Sequence, residues 1–238
     1  MKLDILAFAA HPDDVELAAS GTVIKHIKQG KKVGIIDLTR GELGTRGSGE
    51  LRDEEAKESA EILQLSVRHN LDLGDGFFEI NENTLKAIIR MIRLYQPTII
   101  LCNSLSDRHP DHGRAGDLVS RAAFLSGLRK IETIHLGENQ HAHRPKAIYR
   151  YIQDYWIKPD IVIDISKEMN QKLESIQAFK SQFYDPSSDE PETPISSKDF
   201  MAFIDARARQ FGRLINTTYG EGFNVERPLG VEDLTQLL

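Results

Sequence analysis

Six short apolar runs alternate with amphipathic segments, and this alternation constrains the fold more than any other feature of the chain. The runs are LDILAFAA (3–10), KVGIIDLT (32–39), VRHNLDL (67–73), TIILCN (98–103), AIYRYIQ (147–153) and IVIDIS (161–166). Several are nearly continuous in Ile, Leu and Val, the pattern of strands covered on both faces. Helical patterns fall between them near 15–29, 51–64, 82–95 and 112–126. The repeat predicts a layered α/β fold with a mostly parallel sheet and right-handed crossovers. With 238 residues, no internal repeat and no long linker, one domain over 1–238 is the expectation. Further along, 167–184 and 196–215 read as helices flanking DPSSDEPETP (185–194). That stretch of turn formers and acids cannot bury enough surface to fold alone. It is either a solvated loop or a segment ordered by a subunit or a substrate.

In an open α/β sheet, ligands bind outside the carboxyl ends of the strands, so the residues just after each strand decide the chemistry. After the first run come His11, Pro12, Asp13 and Asp14. Neighbouring carboxylates repel unless a cation or a shared proton compensates. After the fourth come Asp107, Arg108, His109, Pro110, Asp111 and His112, then Gly113 and a helical pattern. Each motif alone could be a turn with a helix cap, Asp13 or Asp14 serving the first. Both together, on one edge of one sheet, point to a metal centre. An imidazole and a carboxylate three residues apart can converge on a cation, and a third ligand from another strand end leaves a position open. His and Asp without thiolate suit catalytic zinc, and iron, cobalt or manganese are also accommodated.

The stretch TRGELGTRGSGELRDEEA (39–56) contains neither GxGxxG nor GxxxxGK[ST], which disfavours a nucleotide-binding regulator. It offers Glu42, Arg46 and Arg52 near the sheet edge; Arg46 reads as solvated, and Arg52 as either solvated or facing a ligand. LDLGDGFFE sets Asp75 between two glycines, where it either shapes a turn or binds a hydroxyl. His26, His69, His135, His141 and His143 are scattered and read as structural or surface residues. Cys102, the single cysteine, sits in an apolar run and reads as a buried thiol. A net charge of −6 argues against a broad nucleic-acid surface. No stretch approaches the roughly 20 apolar residues of a membrane span, and no secretory signal is visible, so a reducing, cytoplasmic setting is the default.

AHPDD after the first strand, paired with HPDH after the fourth, resembles the PIG-L/LmbE family of zinc-dependent N-acetylglucosamine deacetylases. The likeness runs on through TRGELGTRG, LDLGDG, DRHPDHG and RPKAIYRYIQ. Within the family the chain looks most like the bacillithiol-biosynthesis branch, which removes acetyl from N-acetylglucosaminyl malate. The resemblance implies a Rossmann-like three-layer sandwich, often hexameric, with one zinc per subunit on His11, Asp14 and His112. It implies Asp13 as general base, His109 as the oxyanion-stabilising residue oriented by Asp111, and Arg52 and Asp75 at sugar hydroxyls. One position departs from the pattern. Some relatives carry a tyrosine two residues before the first histidine of the second motif, where this chain has Asp107.

On this reading Asp13 deprotonates water, the acetamide carbonyl is attacked, and Asp13 or His109 protonates the leaving amine. Asp111 should raise the pKa of His109. A malate aglycone needs local cations, for which Arg108, Arg144 and Lys146 are candidates. The alternatives are a thiol-conjugate amidase, a deacetylase of another N-acetyl sugar, and a non-catalytic metal- or sugar-binding module.

Overall fold

All six apolar runs form strands. In the computed structural model, which describes residues 1–237, β1 (Ile5–Ala9), β2 (Val33–Asp37), β3 (Val67–Asn70) and β4 (Ile99–Cys102) alternate with α1 (Asp14–Lys28), α2 (Gly49–Leu63) and α3 (Glu82–Tyr95). After these come α4 (Pro110–Leu125), a small hairpin of β5 (Ile134–His135) and β6 (Glu138–Asn139), β7 (Ala147–Tyr151) and β8 (Ile161–Asp164). The chain closes with α5 (Met169–Gln177), α6 (Lys198–Leu214), β9 (Gly220–Val225) and a single 3₁₀ turn.

The main sheet has the order β3-β2-β1-β4-β7-β9-β8. Its first five strands are parallel, and β9 runs antiparallel to both of its neighbours. Helices α3 and α4 cover one face, where Phe8, Ile36, Ile88, Ile92 and Leu118 pack together. The opposite face carries α1, whose Val15, Ala19 and Val23 meet Ala7 and Ile35, while α2, α5 and α6 extend that layer. The three-layer α/β expectation therefore holds. Among the described residues, no helix is long and apolar enough to cross a membrane.

β9 and α5 differ from the sequence reading, and the β5–β6 hairpin was not part of it. GEGFNV forms β9 despite its glycines because α6 crosses it closely: a Cβ on Gly222 would lie 2.7 Å from the Phe211 ring. The helix expected over 167–184 stops at Gln177. Beyond it, the Ser181 N–H and hydroxyl are taken by the two carboxylate oxygens of Glu55, at 2.7 and 2.8 Å, which holds 178–184 against α2.

One buried ion pair is wedged into α1. Lys172 and Glu221, 2% and 3% exposed, meet at 2.8 Å. The Glu221 carboxylate accepts the mid-helix N–H groups of Gly21 and Thr22, and Lys172 donates to the carbonyls of Glu16 and Leu17. Side chains inserted at such points are a recognised cause of helix bending. The first turn of α1, just upstream, carries Asp14.

From β1 the chain crosses towards β2 and β3; from β4 it crosses the other way, towards β7. The crevice between the ends of β1 and β4 is the topological switch point, where open α/β sheets bind ligands.

Candidate active site

Both histidine–aspartate motifs lie at that switch point. Asp13 occupies the N-cap position of α1, yet its side chain makes no capping bond and its backbone sits at φ 116°, ψ −23°. Such a conformation is costly for a side chain with a Cβ, and it persists only where the surroundings over-determine it. Arg52 is what determines it here. Its guanidinium donates to the Asp13 carboxylate at 2.9 Å, to the Pro12 carbonyl, and to the Gly41 carbonyl at 3.3 Å. The simple helix-cap reading of HPDD fails for Asp13.

Asp14 turns the other way. One oxygen lies 3.0 Å from His112 Nε2, the other 3.8 Å from His11 Nδ1. Two amides that sequence reasoning missed hold it: Asn103 Nδ2 and Gln153 Nε2 each donate to it at 2.9 Å. Asn103 ends the TIILCN run and Gln153 ends AIYRYIQ, so attention to the last polar residue of each strand run would have found both. Asp107 also acquires a role. One of its oxygens binds His112 Nδ1 and the other accepts the Tyr155 N–H at 2.7 Å.

Asp75 Oδ1 meets His11 Nε2 at 2.9 Å, and its second oxygen accepts the Leu43 N–H at 3.0 Å. Asp75 and Arg52, expected at sugar hydroxyls, also have partners within the protein. Both line the cavity, where Asp75 bonds His11 and Arg52 bonds Asp13. Asp111 departs from expectation too. Its carboxylate accepts from Gly76 N–H and Arg114 and lies 3.4 Å from His11 Nε2, while only its backbone N–H reaches His109 Nδ1. Burial and the neighbouring charges of His11 and His112 lower the pKa of His109, against the upward pull of Asp111. An accepting Nδ1 places the proton of the neutral ring on Nε2, a donor for the cavity.

These charges perturb one another strongly. Burial pushes the Asp13 carboxyl up to about 7, against Arg52 and with help from Asp14. Burial would raise Asp14 as well, but His112 and His11 hold it well below the usual carboxylate range. Burial opposes charge on His11 and His112. Bonds to Asp111 and Asp75 nevertheless raise His11 to about 9, and Asp14 and Asp107 raise His112 to about 10.

The donor set fits a divalent metal. Ligand atoms of His11, His109 and His112 all lie within 4.8 Å of one another, as do those of His11, Asp75 and Asp111. His11 and His112 each bind a carboxylate through one ring nitrogen and turn the other towards Asp14. That is the support a metal-ligating imidazole receives from its outer shell.

Residues 6–124 match the family model for PIG-L, GlcNAc-PI de-N-acetylase. The chain belongs to the PIG-L family. Among relatives, it is 34% identical to the diacetylchitobiose deacetylase of Thermococcus kodakarensis, over 75% of this chain and 70% of that one. It is 30% identical to the 4-oxalmesaconate hydratase of Pseudomonas putida, over 74% and 73% of the two chains. A probable N-acetyl-alpha-D-glucosaminyl L-malate deacetylase 2 of Bacillus cereus is 26% identical, over 76% and 84%. The crystal structure of TT1542 from Thermus thermophilus superposes with a TM-score of 0.86 at 30% identity, covering 98% of each chain.

In this PIG-L chain the cavity over the motifs is walled by Leu43 and Phe77 on one side and by Ile195, Phe200 and Phe203 on the other. Of the three cations expected near a malate group, Arg108 alone lines it, and it is paired with Asp154 at 3.1 Å. Arg144 instead lies over the Phe124 ring and bonds its carbonyl. Arg46, expected in solvent, is 5% exposed. The thiol of Cys102 is fully buried and pushed up to about 12, an unreactive group as expected. His26 and His143 bond backbone carbonyls and His69 bonds Tyr95, all structural roles.

Proposed function

We propose that this protein is a metal-dependent N-deacetylase, hydrolysing the acetamide of an N-acetylglucosamine conjugate to acetate and a free amine. The observation that carries the reading is the divergence of two adjacent carboxylates: Asp14 faces both imidazoles, while Asp13 is held off them by Arg52 in a strained backbone. A site that only bound a metal has no need of the second. His11, Asp14 and His112 would hold the ion, zinc in the first instance, which supplies Lewis-acid polarisation of the carbonyl and a lowered pKa for water.

The remaining chemistry belongs to the chain. Asp13 takes the proton of the attacking water as its oxygen bonds to the acetamide carbon. Held off the imidazoles by Arg52, the Asp13 carboxylate is placed to accept that proton and return it. The Nε2–H of His109 donates to the developing oxyanion. Asp13 then protonates the amine nitrogen as the C–N bond breaks. Asp75 and Asp107 keep His11 and His112 oriented, and Arg114 with Gly76 fixes Asp111 beside His11.

Support for N-acetylglucosamine as the reacting unit comes from the family description and from the names of the deacetylase relatives. The malate conjugate of bacillithiol biosynthesis is one substrate within this reading, as are other glucosaminyl conjugates. A cytoplasmic setting and a hexamer of like subunits belong to the same proposal, the latter open to light scattering. Zinc-loaded wild type should release amine from such a conjugate, and Asp13→Asn should lose about 10²–10⁴-fold in kcat while keeping its metal. Identity to a hydratase supports a second reading, addition of water to a polarised double bond. Loss of alkene absorbance without amine release would select it.

A further inference from the structure

We propose that Arg46 is a specificity-determining residue. It holds the strap 185–196 in place as the outer wall of the cavity, completing a subsite for a neutral aglycone with an apolar face, such as a second pyranose ring. This rests on the N-deacetylase reading.

Arg46 follows Thr45 at the joint between two walls. Leu43, Gly44 and Thr45 line the cavity from the loop after β2, and Thr193, Pro194 and Ile195 line it from the strap. The buried guanidinium bridges the two: Nη2 donates to Ser188 Oγ at 2.7 Å and Nη1 to the Phe183 carbonyl at 3.5 Å. The Arg46 carbonyl accepts from Gln182 Nε2 at 2.9 Å. Gly47, at φ +73°, lets the loop approach so closely that a Cβ there would lie 2.9 Å from Ser181. Among the described residues, the Arg46–Ser188 bond is the one hydrogen bond joining 185–196 to the rest of the chain. The strap's other bonds are internal turns. Thus 185–194 is tied to the rest of its own chain through Arg46.

The subsite's chemistry is set by its walls. Phe77 and Leu43, 80% and 60% exposed, meet the cavity rim, and Phe200 and Phe203 face it from α6. Such a surface matches the C–H face of a sugar ring. The cations in the wall are already engaged: Arg52 with Asp13, Arg108 with Asp154, and Arg207 with the carbonyls of Asp154 and Tyr155. The strap residues that line the cavity, Thr193, Pro194 and Ile195, add no cation, so a dianionic aglycone finds only arginines that already hold protein partners.

The test compares kcat and KM for N-acetylglucosamine, N,N′-diacetylchitobiose and N-acetylglucosaminyl malate, using zinc-loaded wild type, Arg46→Ala, Arg46→Lys and Ser188→Ala. Digestion by a Glu-specific endoproteinase after Glu192 reports strap order separately. Wild type should favour the disaccharide over both other substrates. Arg46→Ala should raise KM for the disaccharide about tenfold, the scale of one lost charge-assisted bond, with kcat and the monosaccharide KM kept. Ser188→Ala, which leaves the buried arginine intact, should do the same more weakly, and Arg46→Lys should recover part of the loss. Strap cleavage should quicken in the order of the KM effects. Equal losses on mono- and disaccharide, or unchanged cleavage in Arg46→Ala, would overturn the latch. Preference for the malate conjugate would overturn the neutral aglycone. If wild type turns over none of the three, the N-deacetylase reading falls and the aglycone subsite with it, while strap cleavage still decides whether Arg46 is a latch.

Discussion

Replacing Lys172 with methionine tests how much of the fold depends on the ion pair wedged into α1. Methionine keeps the length and apolar stem of the lysine but removes its charge. Three contacts go with it: Glu221 at 2.8 Å, the Leu17 carbonyl at 2.8 Å and the Glu16 carbonyl at 3.1 Å. Glu221, 3% exposed, keeps its bonds to Gly21 and Thr22 but loses its counter-charge. Removing one partner of a buried pair typically costs about 3–5 kcal/mol, because the other charge is left uncompensated. Against a total stability of roughly 5–15 kcal/mol this is a large fraction. For a chain of this size it lowers Tm by roughly 6–20 °C, at about 2–4 °C per kcal/mol. Urea unfolding of the single variants and of Lys172→Met/Glu221→Gln closes a double-mutant cycle. A neutral glutamine can still accept one backbone N–H, so the double variant should be more stable than the sum of the singles by about 2 kcal/mol. The exposed pair Lys180–Glu58, 3.7 Å apart, is the control, and Lys180→Met should be nearly silent. A loss below about 1 kcal/mol for Lys172→Met, or singles that add within about 0.5 kcal/mol, would show that the pair is not a coupled wedge.

Asp107→Asn should weaken metal affinity about 10–100-fold through its bond to His112, with helix content unchanged; equal affinity by competition with a chromogenic chelator would remove Asp107 from the site. In chelator-treated protein, His11 and His112 bind protons more tightly folded than unfolded, having risen from 6.5 to about 9 and about 10. The stability this supplies is complete below pH 6.5 and is lost as pH rises through 9 to 10, so Tm should fall across that window, and a flat profile would refute the assignment. Gly222→Ala should destabilise by about 1–3 kcal/mol, since its Cβ would stand 2.7 Å from Phe211; a neutral effect in thermal melts would mean that α6 shifts freely.

The information carried by the letters alone was local and periodic. Near-continuous Val, Ile and Leu runs can satisfy both faces of a strand only inside a covered sheet, so the strands, their parallel sense and the edge carrying HPDD and HPDH were legible in the letters. The kind of chemistry was legible too, because adjacent carboxylates and histidines gathered at strand ends are a donor set suited to a metal. Partnership was decided by the tertiary structure alone. Asp13 and Asp14 are indistinguishable as letters, yet Arg52, 39 residues away, holds one while Asn103 and Gln153 hold the other. Asp75 reads as a turn residue until His11 is brought beside it, and Arg46 reads as solvated until the strap closes over it. β9 was invisible because its glycines serve the helix that crosses it and not the strand itself. Periodicity reports which face of an element is buried; it carries no record of which distant side chain will meet a given polar atom, and in this site that pairing sets each group's charge and orientation.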